Sequence, residues 1–286
     1  MKKIISLVLA FTFIVALLGG CGTKDTTSSE STTAASVADS AKSETTETVA
    51  LKVGATPAPH AEILEFIKDT LAEQGVALEI VEFNDYIVPN TAVDDGSLDA
   101  NFFQHLPYLE NFNAENNTKL ADVAGIHIEP FAIYPGRTAS LKDLPNGAQI
   151  GVPNDPTNEG RALLLLQELG LITLKEDAGL EATPLDITDD GNPNNIQFVE
   201  LEAAQLPVSL PDLDFAVING NYAIEAGIRD TALEIEGAES PYVNVVVVRT
   251  GDENRPEIKA LVAALQSDEV RDFINERYKG EVVPVF

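Results

Sequence analysis

From Leu51 onward the chain alternates two rhythms of apolar and polar positions. Leu51–Thr56 is a short apolar run that predicts a strand, and Ile63, Leu64, Ile67 and Leu71 then recur at helical spacing until Gly75. Val76–Phe83 alternates as a second strand, Leu98–Phe102 reads as a third, and Pro107–Asn116 as a helix. Gln149–Val152 is a short apolar strand before a polar turn, followed by a helix over Arg161–Leu169 that Gly170 closes. Ile196–Glu200, Phe215–Ile218 and Val243–Val248 predict further strands, and Pro256–Leu265 and Glu269–Tyr278 two final helices. Strands alternating with helices predict an α/β fold with largely parallel sheets. About 235 residues are too many for one small core and suit two lobes with a ligand cleft between them.

The rhythm is different before Leu51. Met1-Lys2-Lys3, an apolar run from Ile4 to Leu18 and the pair Gly19-Gly20 precede Cys21, the only cysteine. A basic start, a short apolar stretch and small residues before a cut predict a secretory signal over residues 1–20. The run is shorter than the roughly 20 residues that span a bilayer. Leu18-Gly19-Gly20-Cys21 resembles the lipobox of bacterial lipoproteins, which implies that Cys21 is acylated, for example with palmitate, and becomes the new N-terminus. Residues 21–49 are dominated by Ser, Thr, Ala and charged side chains. Such a stretch buries too little apolar surface to offset chain entropy and predicts a disordered tether. As a flexible coil it reaches roughly 30 Å.

Composition narrows the classes of partner. A formal charge of −28 disfavours nucleic acid and anionic lipid surfaces. His60, His105 and His127 are isolated from one another in sequence, and none has a second ligand at metal spacing, so no metal site is expected. His60 is expected at a helix start near the rim of the cleft. No nucleophile elbow, phosphate-cradling glycine loop or zinc-protease motif is present, and no cofactor is expected.

One segment carries binding chemistry. Val152-Pro-Asn-Asp-Pro-Thr-Asn-Glu-Gly-Arg161 runs from a strand end through a turn into a helix. Asp155 suits the cap, Pro156 the first helical position, and the amides that follow would attract an anion. Arg161, one turn in, offers a planar fork that pairs bidentately with a carboxylate.

Phe102-Phe-Gln-His-Leu-Pro-Tyr108, Asn158-Glu-Gly-Arg-Ala-Leu163, Ala216-Val-Ile-Asn-Gly-Asn-Tyr222 and Ser240-Pro-Tyr-Val-Asn244 resemble signature stretches of the methionine-binding lipoprotein family. Asn84-Asp-Tyr86, Pro89-Asn90 and Gln266-Ser-Asp-Glu-Val270 match in the same order. The resemblance implies the two-lobed, type II fold of periplasmic binding proteins. It implies a non-enzymatic protein, lipid-anchored through Cys21 on the extracytoplasmic face of the cell membrane. That protein would capture methionine, or another amino acid or a methionine-containing dipeptide, and deliver it to the permease and ATPase of an ABC importer. An adhesive surface lipoprotein is the reading that dispenses with a ligand.

Site residues follow from the same resemblance. Arg161 would hold the ligand carboxylate, with Asn219, Asn244 and Asn158 completing the polar contacts, and Tyr86, Phe103, His105 and Tyr108 would form the side-chain pocket. Phe102 and Phe103 point to opposite faces of one strand, and Phe103 is in phase with His105. The lobes would comprise residues 50–135 plus 241–286, and 136–240, with crossovers near Tyr134–Pro135 and Pro241–Tyr242.

Overall fold

The computed structural model describes residues 48–237 and 240–286. The signal segment, Cys21 and nearly all of the expected tether lie outside the described residues. The first half-lobe runs β1 (Val49–Ala55), α1 (Glu62–Phe66), α2 (Lys68–Glu73), β2 (Val76–Glu82), α3 (Val88–Asp94), β3 (Ala100–His105), α4 (Leu106–Asn116) and β4 (Leu120–Ile128). The chain then builds β5 (Ala132–Pro135), β6 (Gln149–Pro153), α5 (Pro156–Glu168), β7 (Gln197–Leu201), α6 (Leu206–Ser209), β8 (Phe215–Ile218), α7 (Gly220–Glu225) and β9 (Glu234–Ile235). It returns as β10 (Val243–Arg249), α8 (Pro256–Leu265), α9 (Asp268–Tyr278) and β11 (Val283–Pro284).

These strands form two sheets, of order β11-β4-β10-β3-β1-β2 and β7-β6-β8-β5-β9. Each is mixed, which corrects the expectation of largely parallel sheets. β1 runs parallel to β2 and β3, and β6 to β7 and β8. β10 lies antiparallel between β3 and β4, and β5 antiparallel between β8 and β9. The reason is topological: β4 leaves the first lobe and β10 returns to it, so the two meet head to tail. The first crossover also comes earlier than Tyr134–Pro135. Those residues already pair with Ala216 and Phe215 in the second sheet, so the chain changes lobe between Ile128 and Ala132.

Each sheet is packed on both faces. One face of the first sheet holds Leu51, Val53 and Phe102 against Ile63, Leu64, Ile258, Leu261, Leu265 and Ile274. Ile258, Leu261 and Leu265 recur along α8 at helical spacing and are fully buried, which is why the periodicity located this helix. The other face packs Val93, Phe103, Leu109 and Phe112 under α3 and α4. In the second lobe Ile150, Val152 and Val217 meet Leu163 and Leu166 of α5, and Tyr134, Ala216 and Ile218 meet Leu206 and Tyr222.

The expected helix over Ile63–Leu71 is divided at Ile67, which ends α1 and starts α2. Gly75 and Gly170, placed as helix terminators, both adopt left-handed backbone, with φ of 77° and 71°.

Candidate functional site

The strand ends converge. β1 and β3 finish at Ala55 and His105, β4 finishes at Ile128 just before Glu129, and β10 starts at the same edge, where Asn244 pairs with both His105 and His127. In the second lobe β6 leads into α5 and β8 into Asn219. Ligands of open α/β sheets lie outside such carboxyl ends. Here the ends surround a narrow pocket lined by Tyr86, Phe103, Gln104, His105, Tyr108, Glu129, Asn158, Arg161, Asn219, Gly220, Asn221 and Asn244. All eight residues expected at the site therefore meet there; their contacts differ from the expectation in informative ways.

A bulge sets the first wall. Val245 pairs with Gln104 and Val246 with Phe102, leaving Phe103 as the unpaired extra residue of β3. Phe102 faces the inner core and Phe103 the cluster beneath α4. Phe103, Gln104 and His105 all line the pocket, which strict alternation along one strand does not give. Tyr86 packs 5.8 Å from both Phe103 and Tyr108, ring centre to ring centre, and the three rings form a continuous aromatic wall. Hydrogen bonds then cross the cleft. Tyr86 Oη donates to Asn221 Oδ1 at 2.6 Å, and Tyr222 Oη to the Asn84 carbonyl at 3.3 Å.

Asn158 and Asn219 form one network. The Tyr108 backbone N–H donates to His105 Nδ1 at 3.1 Å, so the ring proton sits on Nε2. Nε2–H then donates to Asn158 Oδ1 at 3.1 Å. The Asn158 NH2 donates to the Asp155 carboxylate at 2.9 and 3.0 Å, and Asn219 Nδ2 donates to Asn158 Oδ1 at 2.9 Å. Both ends of the Asn158 amide are therefore taken by protein. Asn219 Oδ1 is buried with no partner among the described residues. The start of α5 also departs from the expected anion site. Asp155 caps it, accepting from the Asn158 N–H at 3.0 Å and from Thr157 Oγ1 at 3.1 Å, so an internal carboxylate already occupies the place of a ligand anion.

Side chains from two separated segments, His60 and the pair His127 and Glu129, meet behind Asn244. His60, expected at the cleft rim, is fully buried. Its Nε2 lies 3.0 Å from Asn244 Oδ1 and 3.3 Å from Glu129 Oε1, and its Nδ1 lies 2.7 Å from Thr56 Oγ1. His127 Nε2 lies 2.8 Å from the same Glu129 oxygen. Sequence spacing gave no hint of this cluster, whose potential ligand atoms lie within 4.8 Å of one another. A metal ligand usually donates its second ring nitrogen to a partner, whereas His127 Nδ1 is buried without one. The set therefore satisfies hydrogen bonds better than it satisfies a cation. Burial holds His60 down to about 4 and His127 and His105 to about 3, so all three rings are neutral. Burial pushes the Glu129 carboxyl up, opposed by His60, Arg161 and Arg229.

Arg161 is buried on α5, its guanidinium 4.3 Å from the ring centres of both Phe131 and Tyr242. Its fork is not free. Nε and Nη2 pair with the Glu236 carboxylate, and Nη2 also donates to the Glu129 carbonyl at 2.9 Å. This corrects the expectation of a bidentate grip on a ligand: Nη1 is the guanidinium nitrogen left without a protein hydrogen bond among the described residues.

Glu129, Glu236 and Asn221 were absent from the sequence-based set. Glu129 follows the His127–Ile128 pair on an edge visible only after β10 inserts. Gly220 marks its place: a Cβ there would lie 2.7 Å from Glu129 Cβ. Asn221 Nδ2 is buried without a partner among the described residues, its Oδ1 being taken by Tyr86.

Comparison with known proteins gives one consistent answer. Membrane lipoprotein TpN32 of Treponema pallidum is 43% identical over 235 residues, which cover 81% of this chain and 87% of that protein. The D-methionine-binding lipoprotein MetQ of Salmonella typhimurium is 42% identical over 238 residues, with 82% and 87% covered. The structure of a nutrient binding protein from Burkholderia cenocepacia, bound to methionine, superposes with a TM-score of 0.79 at 45% identity, covering 82% of this chain and 100% of that one. The family model for NlpA lipoprotein matches residues 51–286. A mixed α/β pair of lobes closed over a polar cavity, and a family match across the folded chain, together show that this protein belongs to the NlpA lipoprotein family.

Proposed function

We propose that the protein captures methionine between its lobes and passes it to an ABC importer, as a binding protein rather than an enzyme. The observation that carries this reading is the pairing of unsatisfied groups in the cavity. Arg161 Nη1, Asn244 Nδ2 and Asn221 Nδ2 are donors without protein partners among the described residues, and suit a carboxylate. Asn219 Oδ1 is the unsatisfied acceptor that suits an ammonium group, and the Glu129 carboxylate, already engaged by His127, adds an acidic group to the same pocket. Donors and acceptors set in one buried space complement a zwitterion and leave no charge unpaired.

The aromatic wall supplies the third requirement. A thioether against the edges of Tyr86, Phe103 and Tyr108 gains roughly 0.3–1.5 kcal/mol per contact. His105 closes this wall as a neutral ring, and Asn158 acts as the residue that orients Asn219. Relatives named for binding D-methionine and a neighbour bound to methionine support the same ligand.

Delivery follows from the architecture. Closure of two lobes about the two crossovers presents a ligand-bound shape to a permease. Acylated Cys21 would hold the protein at the extracytoplasmic face, with residues 21–49 as the tether and the lobes as 50–131 plus 241–286, and 132–240.

The test is thermal unfolding of the full-length protein, stripped of carried-over ligand, against L-methionine, D-methionine, leucine and methionine dipeptides. Methionine at a hundred times its Kd should add about 2.7 kcal/mol of stability. Arg161→Ala should abolish that gain. A flat response across the panel, or an undiminished one in Arg161→Ala, would refute the reading.

A further inference from the structure

Two asparagines in this cavity have identical side chains and opposite surroundings. Asn219 has its NH2 group taken by Asn158 Oδ1, so it turns its oxygen to the cavity. Asn244 has its oxygen against His60 Nε2, so it turns its NH2 group there. An amide rotated by half a turn exchanges donor for acceptor at almost no steric cost. Something behind each asparagine must therefore decide which end faces the ligand.

We infer that His60 is a positioning residue that fixes the amide of Asn244 as a hydrogen-bond donor to the ligand. The geometry is a buried chain from Thr56 Oγ1 to His60 Nδ1 at 2.7 Å, and from His60 Nε2 to Asn244 Oδ1 at 3.0 Å. Glu129 sets its direction. Its carboxylate oxygen, 3.3 Å from His60 Nε2, can only accept when ionised, so the proton is drawn to Nε2. Nδ1 then accepts from the Thr56 hydroxyl. With Nε2–H fixed, only Oδ1 of Asn244 can face it, since the rotated amide would oppose two N–H groups. His127 Nε2 reaches the same Glu129 oxygen at 2.8 Å, and Phe102 packs T-shaped against both rings, 4.7 Å from His60 and 5.4 Å from His127 between centres. No atom of His60 lines the cavity, so it acts wholly through Asn244 and Glu129.

This inference rests on the methionine reading for its affinity measurements, but not for its spectroscopic one. Methionine titration would compare wild type with His60→Leu, His60→Gln, Asn244→Ala and the His60→Leu/Asn244→Ala double variant, all in the full-length protein. His60→Leu should weaken binding about tenfold or more, because Asn244 is then free to rotate. His60→Gln, whose amide NH2 can take the place of Nε2–H, should restore most of it. In the Asn244→Ala background His60→Leu should cost several-fold less, because only its contact with Glu129 is then left. Equal losses in both backgrounds, or a glutamine no better than leucine, would overturn the inference. Nitrogen NMR of the ligand-free protein reads the ring directly and does not depend on the variants folding. A neutral ring with the proton on Nε2 is expected, and a proton on Nδ1 or on both nitrogens would overturn the wiring. Wild type that fails to bind methionine would refute the proposed ligand, while the ring proton would still decide the role of His60.

Discussion

Asn244 and Asn219 lie across the cleft from one another, one on each lobe, and their supports differ in kind. Asn244 is held by a chain of side chains drawn from the segment after β1 and from the end of β4 and the residue beyond it: Thr56, His60, His127 and Glu129. Asn219 is held by Asn158 and, through it, by the cap of α5 and by His105 from the opposite lobe. The first support lies wholly within one lobe, so none of its bonds crosses the cleft. The second includes a bond across the cleft, between His105 and Asn158, so it is complete only on closure. The comparison teaches that Asn244 is oriented from within one lobe, whereas the support of Asn219 is finished by closing.

The largest expected break in this symmetry is Asn244→Asp. One new oxygen would keep the His60 bond, but the other would replace the donor NH2 and face the ligand carboxylate. Methionine affinity should fall about a hundredfold or more, or roughly 2.7 kcal/mol, by calorimetric titration. A loss under tenfold would mean that Asn244 does not serve as a donor.

Asn219→Asp should do the reverse. The acceptor facing the cavity is kept, while the oxygen replacing Nδ2 opposes Asn158 Oδ1. Folding stability should drop by about 2 kcal/mol, with affinity changed less than tenfold; a larger affinity loss than stability loss would undo the contrast. Asp155→Ala removes the cap of α5 together with the anchor of Asn158. It should lower stability by about 1 kcal/mol in denaturant unfolding, and should leave the His60 chain untouched.

Acid offers the smallest and most gradual probe. His60 is held down to about 4 and His105 to about 3, against an ordinary 6.5 when unfolded. The unfolded chain therefore binds more protons in this interval, and stability must rise with pH across it. The contribution is complete above about 6.5 and is lost as pH falls toward 4, so the melting temperature should decline over that window. Glu159 acts with the opposite sign. Burial, with Glu200 beside it, pushes its carboxyl up to about 7, so its contribution is present below the ordinary 4.5 and lost as pH rises through 7. Glu159→Gln should remove that upper decline and leave the acid decline in place.

Much of the scaffold could be read from local pattern. β8 and α8 occupy the residues expected of them, and α4, α9, β6 and β10 are displaced by a residue or so at their ends. Their apolar positions repeat with a period set by the backbone itself, and Asp155, Gly75 and Gly170 mark ends by local backbone chemistry. β4 and β5 escaped notice. β4 interleaves polar residues and Gly125 along Leu120–Ile128, and β5 is a four-residue piece whose burial comes entirely from the second sheet.

The residues that gather at the cavity were named from ordered motifs, and the fold gathers them because each motif ends a strand on the same edge. What they do there was not legible. Arg161 reads as a free fork until Glu236 is found 75 residues away in sequence and paired with it. His60 looks unrelated to His127 and Glu129, which are two positions apart, until the fold sets them side by side and β10, between β3 and β4, brings Asn244 beside them. A sequence by itself determines periodicity, caps and composition, because those depend on neighbours along the chain. It leaves open which end of an amide faces a ligand and which histidine nitrogen carries a proton. Those are settled by hydrogen bonds between residues up to 184 positions apart, and such contacts exist only once the lobes have folded.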